Sequence, residues 1–253
     1  MTDAAFPIQG GEHLSFDFFA PDTGGPHPLV VFLHGGGWIS GDKTMYRDEA
    51  EWLADQGYAC ACISYRLAPL YPFPAPVADC QSFVRFMREN AAQFAINPNQ
   101  IAAMGNSAGG HLALMLGLCM ESFDDGPADG SQCANAVVDI CGITDFRAPQ
   151  TSHFPIAFSF LEQFIPTILD PESKETQQAS PIVYANADAV PCLVLHGDED
   201  DVVPIDQSRL LAKALGSKAK YVELEGEAHS FSYVGWNTIR REYTAFLKEV
   251  FSS

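Results

Sequence analysis

Short, unbroken apolar runs alternate along this chain with stretches whose apolar residues recur every three or four positions. That alternation restricts the fold more than any other feature. Leu29-Val-Val-Phe-Leu33 has no polar position, the pattern of a strand covered on both faces. The spacing predicts a helix from about Lys43 to Gln56, with Gly57 at its C-terminal end, and then a strand from Tyr58 to Tyr65. Pro74 and Pro76 open a second helix, on which Val77, Cys80, Phe83, Val84, Met87, Ala91 and Phe94 share one face until Asn97-Pro98-Asn99 breaks it. Strand and helix follow again at Ile101–Met104 and Ala108–Cys119. Further strands are predicted at Ala134–Cys141, Cys192–Leu195 and Lys220–Leu224, with helices at Asp206–Leu215 and Trp236–Phe251. Ahead of all these, residues 12–19 alternate, with Leu14, Phe16 and Phe18 against His13, Ser15 and Asp17, as in a half-buried antiparallel strand after the Gly10-Gly11 turn. Such a chain forms an α/β protein: a doubly wound, mostly parallel sheet with helices on both faces. No linker, repeat or low-complexity tract interrupts it, so residues 1–253 are expected to form one domain. The segment 142–190 fits no clear period and is rich in phenylalanine: Phe146, Phe154, Phe158, Phe160 and Phe164.

Composition narrows the partners. The net charge is −18, from 14 Lys+Arg against 32 Asp+Glu. Phosphate backbones and anionic lipid surfaces both demand clustered cations, so neither nucleic acid nor a membrane is expected to bind. No apolar stretch approaches the ~20 residues that span a bilayer. The first twenty residues carry no early positive charge, and Asp3, Glu12 and Asp17 interrupt any apolar run, so a secretory signal is not expected. The seven cysteines show no zinc-ligand spacing, and Cys60 and Cys62 fall on one face of a buried strand. Free thiols in a reducing, cytoplasmic setting account for them.

Four short segments carry chemistry. Gly105-Asn-Ser-Ala-Gly109 sits between a strand and a helix, where G-x-S-x-G forms a tight turn. Small flanking residues let the backbones pass closely, and the serine meets a helix N-terminus that favours negative charge. A serine N-cap is the plain alternative. His34-Gly-Gly-Gly-Trp38 follows a strand, and its glycines can turn backbone N–H groups into a cleft, as an oxyanion hole requires. A phosphate loop is the rival there, but Asp42 between Gly41 and Lys43 spoils the cradle. Three carboxylates, Asp198, Asp200 and Asp201, crowd the loop after the Cys192–Leu195 strand, and spacing alone does not choose among them. A calcium loop would need glycine and glutamate positions that this cluster lacks. Last, His229 lies after the final strand, in the chain order Ser, Asp, His of a hydrolase triad. His13, His27, His34, His111, His153 and His196 read as structural, with His153 and His196 in loops.

From Leu29 to the C-terminus the chain resembles the α/β-hydrolase superfamily. Within it, the likeness is to the hormone-sensitive-lipase-like carboxylesterases and the related acetyl-xylan and feruloyl esterases. The resemblance rests on His34-Gly-Gly-Gly-Trp38, Tyr65-Arg-Leu-Ala-Pro69, Phe73-Pro74, Gly105-Asn-Ser-Ala-Gly-Gly110, His196-Gly with Asp200 and Val203-Pro204, and His229. It implies Ser107 as nucleophile, His229 as base, Asp200 as acid, and the N–H groups of Gly36, Gly37 and Ala108 as oxyanion hole. It needs no cofactor, and its partner is a small-molecule ester. Fewer than thirty residues precede Leu29, too few for the helical cap of many relatives, so the insert at 142–190 is expected to roof the pocket. Trp38, Phe146 and Phe158 are the expected pocket walls. An open site suits short acyl esters, including sugar acetates and aryl esters. The same triad also serves arylformamidases and other amidases, and a non-catalytic ligand receptor on this fold is the reading of another class.

Overall fold

The structure, a computed structural model, describes residues 2–147 and 155–252. Eight strands form one sheet in the order β1-β2-β4-β3-β5-β6-β7-β8. They are β1 (Thr2–Pro7), β2 (His13–Phe19), β3 (His27–Leu33), β4 (Ala59–Ile63), β5 (Ile96–Asn106), β6 (Ala136–Ile140), β7 (Cys192–Gly197) and β8 (Ala219–Leu224). From β4 to β8 every pairing is parallel, while β1 and β2 pair antiparallel at one edge. Among the described residues the helices are α1 (Arg47–Ala54), α2 (Ala75–Glu89), α3 (Ala108–Leu118), α4 (Pro155–Phe164), α5 (Lys174–Gln178), α6 (Asp206–Leu215) and α7 (Tyr233–Phe251). None is long and apolar enough to cross a membrane.

Period two in the strands divides the core into two layers. Leu29, Val31, Leu33, Ala103, Val137 and Val194 face α2, α3 and α6. Val30, Phe32, Cys60, Cys62, Met104, Val138 and Leu195 face α1 and α7, where Leu53, Ile239, Tyr243 and Leu247 cover them. Each fully buried Leu, Ile, Val or Phe contributes roughly 1.5–3 kcal/mol, so both layers hold the sheet in place. Cys60 and Cys62 share a face, as the alternation requires, and all seven cysteines are buried and unpaired. Helix α3, which follows the serine motif, is buried along its whole length.

Several boundaries differ from the pattern reading. Strand β1 was not anticipated. It pairs with β2 from Thr2↔Phe18 to Pro7↔His13, and only Phe6 among its side chains is fully buried, so its sequence carries no strong alternation. Helix α2 stops at Glu89 rather than reaching Phe94, and Asn90 closes it. Strand β5 begins at Ile96 and runs through Asn97-Pro98-Asn99. The register slips between His27↔Ile96 and Leu29↔Ile101, so an irregularity absorbs Pro98 without ending the strand. The stretch before α1 starts as a 3₁₀ turn at Lys43–Tyr46, capped by the Asp42 side chain accepting from Thr44 N–H. Helix α7 starts three residues early, at Tyr233, because Ser232 Oγ accepts from Gly235 N–H as its cap.

Candidate active site

Ser107 stands between β5 and α3 with φ 54° and ψ −120°, a left-handed backbone that costs a serine about 1–3 kcal/mol. The surroundings hold it there. Its N–H donates to Ile140 O on β6 (2.8 Å), and its carbonyl accepts from His111 N–H (3.0 Å) as α3 starts. The flanking glycines follow from the crowding: a Cβ on Gly109 would lie 2.0 Å from Leu33 O, and one on Gly105 would lie 2.4 Å from Gly109 backbone. The G-x-S-x-G spacing is therefore a packing requirement between α3, β5 and the end of β3. Ala108 is the first residue of α3, so its N–H has no partner within the helix.

The loop after β3 lies alongside. Gly36 has φ 108°, and a Cβ there would strike Ser40 O at 2.3 Å, so only glycine fits. Ile39 and Ser40 N–H both donate to Gly36 O (3.1 Å each), closing the turn. His34 sets its base: its ring stacks on Tyr65 at 4.1 Å, Tyr65 Oη donates to His34 O (2.8 Å), and His34 Nδ1 donates to Gly35 O (2.8 Å). Burial pushes the His34 ring below its ordinary pKa, so it braces the loop as a neutral ring. Sequence reasoning missed Asn106 as a member of this site. Tyr46 Oη donates to its Oδ1 (2.9 Å), and its side chain packs against Gly35. Its position beside Ser107 in the motif was the available signal.

Among the three competing aspartates the geometry discriminates. Asp198 Oδ1 accepts from Gly226 N–H (2.6 Å), tying two loops together, and Asp201 is exposed. Asp200 is buried. Its Oδ2 accepts from His229 Nδ1 (2.7 Å), and its Oδ1 accepts from Val202 N–H (2.8 Å) and Val203 N–H (2.7 Å). Burial alone would raise its pKa. The hydrogen bonds from His196 and His229, the charge of His229 and the Val203 N–H outweigh burial and leave the carboxyl well below its usual range. The loop carrying His229 is held by Glu227, which accepts from the Ser232 N–H (2.7 Å) and hydroxyl (2.6 Å) just before α7.

Ser107, Gly36, Gly37 and His229 line one cavity of about 510 Å³. Its other walls are mostly apolar: Trp38, Ile143, Ala157, Phe160, Leu161, Val202, Val203 and Phe231. Trp38, expected in the wall, is there. It is buried, stacks on Phe164 at 4.2 Å and donates from Nε1 to His111 Nδ1 (3.2 Å). Phe146 is not in the wall: it is fully buried beneath Trp38, 5.8 Å between ring centres, and packs on His111. Phe158 is half-buried and also outside the wall. On α4 the residues that reach the cavity are Ala157, Phe160 and Leu161. The orientation of α4, invisible in its sequence, decides this. Phe154 and His153 lie outside the described residues.

Two buried groups border the site. Cys141 Sγ, a carboxylate oxygen of Asp200 and a ring nitrogen of His229 lie within 4.8 Å of one another, a spacing that could admit a metal ion. Burial, then the charge of Asp200, pushes the Cys141 thiol well above its ordinary pKa, and Asp200 Oδ2 accepts from His229 Nδ1. Asp139 on β6 is fully buried. Its Oδ1 accepts from Gly142 N–H (3.0 Å) and its Oδ2 has no partner among the described residues, so burial pushes its pKa up to about 7. His196, expected in a loop, lies within β7 with its side chain buried against Asp200 (3.2 Å).

The chain is similar to Mycobacterium tuberculosis proteins named "Esterase LipC" and "Probable carboxylic ester hydrolase LipM". Each is 30% identical, over 89% and 92% of this chain respectively. The chain spans less than two thirds of either relative, 62% of the first and 56% of the second. The fold superposes on a thermophilic esterase of Thermogutta terrifontis, Est2, solved with propionate bound. The TM-score is 0.83 at 25% identity, over 99% of this chain and 94% of that one. The BD-FAE family model matches residues 16–215, and the chain thus belongs to the BD-FAE family, on the α/β-hydrolase fold.

Proposed function

We propose that this chain is a serine carboxylesterase that hydrolyses esters of short acyl groups. The observation that carries the reading is the 2.7 Å hydrogen bond from His229 Nδ1 to buried Asp200, in a cavity that His229 shares with the strained Ser107. Ser107 Oγ attacks the ester carbonyl while His229 Nε2 takes its proton. Asp200 holds the proton on Nδ1, which leaves Nε2 free to act as base, and it stabilises the imidazolium that forms. Negative charge developing on the carbonyl oxygen is met by the N–H groups of Gly36, Gly37 and Ala108, fixed donors in a largely apolar cavity. The imidazolium then passes its proton to the leaving alcohol. Water, activated by the same ring, attacks the acyl-enzyme and releases the acid.

The described parts of segment 142–190 serve as the roof of a single hydrolase unit, a role supported by Ile143, Ala157, Phe160 and Leu161 in the cavity wall. Those side chains, with Trp38, leave room for a short acyl chain, and propionate occupies the related Est2. The seven unpaired, buried cysteines support a reducing compartment. Turnover of aryl acetates compared with N-formyl aromatic amines tests the reading. Faster ester cleavage that disappears in Ser107→Ala supports it. Preferential deformylation would make the chain an amidase, and no turnover of either would favour a receptor.

A further inference from the structure

His196 is absent from the mechanism above, yet it touches the acid. It lies on β7 with a fully buried side chain, and both ring nitrogens are engaged. Nδ1 is 2.7 Å from Ser208 Oγ on α6, and Nε2 is 2.9 Å from Val203 O and 3.2 Å from Asp200 Oδ2. A carbonyl and a carboxylate only accept, so Nε2 must carry the proton. In the neutral ring Nδ1 then accepts from the Ser208 hydroxyl, which fixes the tautomer from behind. Asp200 Oδ2 therefore faces two imidazoles, accepting from His229 at 2.7 Å and lying 3.2 Å from His196 Nε2, whose main acceptor is Val203 O at 2.9 Å, while Oδ1 is pinned by two backbone N–H groups.

We propose that His196, oriented by Ser208, is a positioning residue that clamps Asp200 and moderates how strongly its Oδ2 holds His229. The inference rests on the triad reading given above. Sharing Oδ2 has a consequence that filling space does not. Without the His196 donor, the carboxylate charge falls more fully on His229, and the imidazolium becomes harder to deprotonate. The other charged or titratable groups facing His196 are Asp139 on β6 and Glu223 opposite it on β8, the latter bonded to Arg209 of α6. Replacing His196 also alters Asp139, whose carboxyl it helps to lower, so the pH profile is read together with the proton resonance of the His229–Asp200 hydrogen bond, which reports the Asp200 contact directly.

The test uses three variants of the full chain. His196→Leu removes both ring nitrogens, His196→Gln returns an N–H donor near the Nε2 position, and Ser208→Ala frees the tautomer. Losing a hydrogen bond to a charged group predicts a kcat about tenfold or more lower in His196→Leu, with KM within about twofold. The acidic limb of the kcat/KM profile should move to higher pH, and His196→Gln should restore most of both. Ser208→Ala should move both in the same direction by less, and it keeps the question open to measurement if His196→Leu does not fold. The low-field proton resonance of the His229–Asp200 hydrogen bond gives a readout that needs no turnover, and it should shift in His196→Leu and return in His196→Gln. An unmoved acidic limb and resonance in folded variants would overturn the proposal, leaving His196 as a partner for Val203 O alone. Wild-type protein that shows this resonance but does not react with a serine-directed phosphonate would instead refute the esterase reading while the clamp is still measured.

Discussion

Replacing Asp139 by asparagine should change how stability depends on pH. Burial raises this carboxyl from its ordinary 3.8 to about 7 in the folded chain. Below pH 4 both folded and unfolded chains hold the proton, and the group costs nothing. Between pH 4 and 7 the unfolded chain releases the proton while the folded chain keeps it, so stability falls as pH rises and levels off above 7. At 1.36 kcal/mol per pKa unit the full cost is about 4 kcal/mol, of which about 3 kcal/mol develops between pH 5 and pH 8. Asparagine keeps the oxygen that accepts from Gly142 N–H and cannot ionise. Its amide N–H groups lack an acceptor at the Oδ2 position, a cost of about 1–3 kcal/mol that does not vary with pH. Equilibrium urea unfolding of both proteins at pH 5, 6, 7 and 8 isolates the pH-dependent part. The stability of Asp139→Asn relative to wild type should rise by about 3 kcal/mol across that range. A difference that stays constant with pH would show that Asp139 ionises normally and that the buried, unpartnered oxygen is wrongly described.

Asp200→Asn should lower kcat by up to about 10⁴ by letting the wrong imidazole tautomer form, whereas Asp198→Asn and Asp201→Asn should lose about tenfold or less; steady-state kinetics on all three, with folding checked by circular dichroism, rank them. Gly109→Ala places a methyl 2.0 Å from Leu33 O and should abolish activity along with a large drop in Tm, which thermal unfolding measures. Across p-nitrophenyl esters, kcat/KM should peak at C2–C4 acyl chains and fall for long chains, and an optimum at long-chain lipid esters would contradict the cavity walls described above.

What the sequence revealed, and what it hid, follows from the range of the forces involved. The β3 run and the Cys60/Cys62 alternation were legible because both faces of a strand record their neighbours directly. The Ser107 turn was legible because the close passage of Gly105 and Gly109 leaves a fixed spacing in the chain. Strand β1 stayed hidden, since an edge strand with one fully buried side chain writes little alternation. Choosing Asp200 needed more than spacing: Asp198 is engaged by Gly226, 28 residues away, and no local pattern shows that contact. His196 read as an ordinary loop histidine for the same reason, because Ser208 and Asp200 meet it only after α6 has packed on the sheet. Of the pocket aromatics, Phe158 depended on how α4 turns its faces, which brings Phe160 and Leu161 to the cavity instead, while Phe146, in the loop after β6, packs against Trp38 and His111.

The proposed mechanism makes Ser107 a nucleophile activated by His229. Reaction with a fluorophosphonate probe, followed by mass spectrometry of the digested protein, tests it without any assumption about the natural ester. One covalent adduct is expected on Ser107 in the wild-type chain, none in Ser107→Ala, and sharply slowed labelling in a His229→Ala variant. A folded wild-type protein that remains unlabelled, or that carries the adduct on another residue, would contradict it.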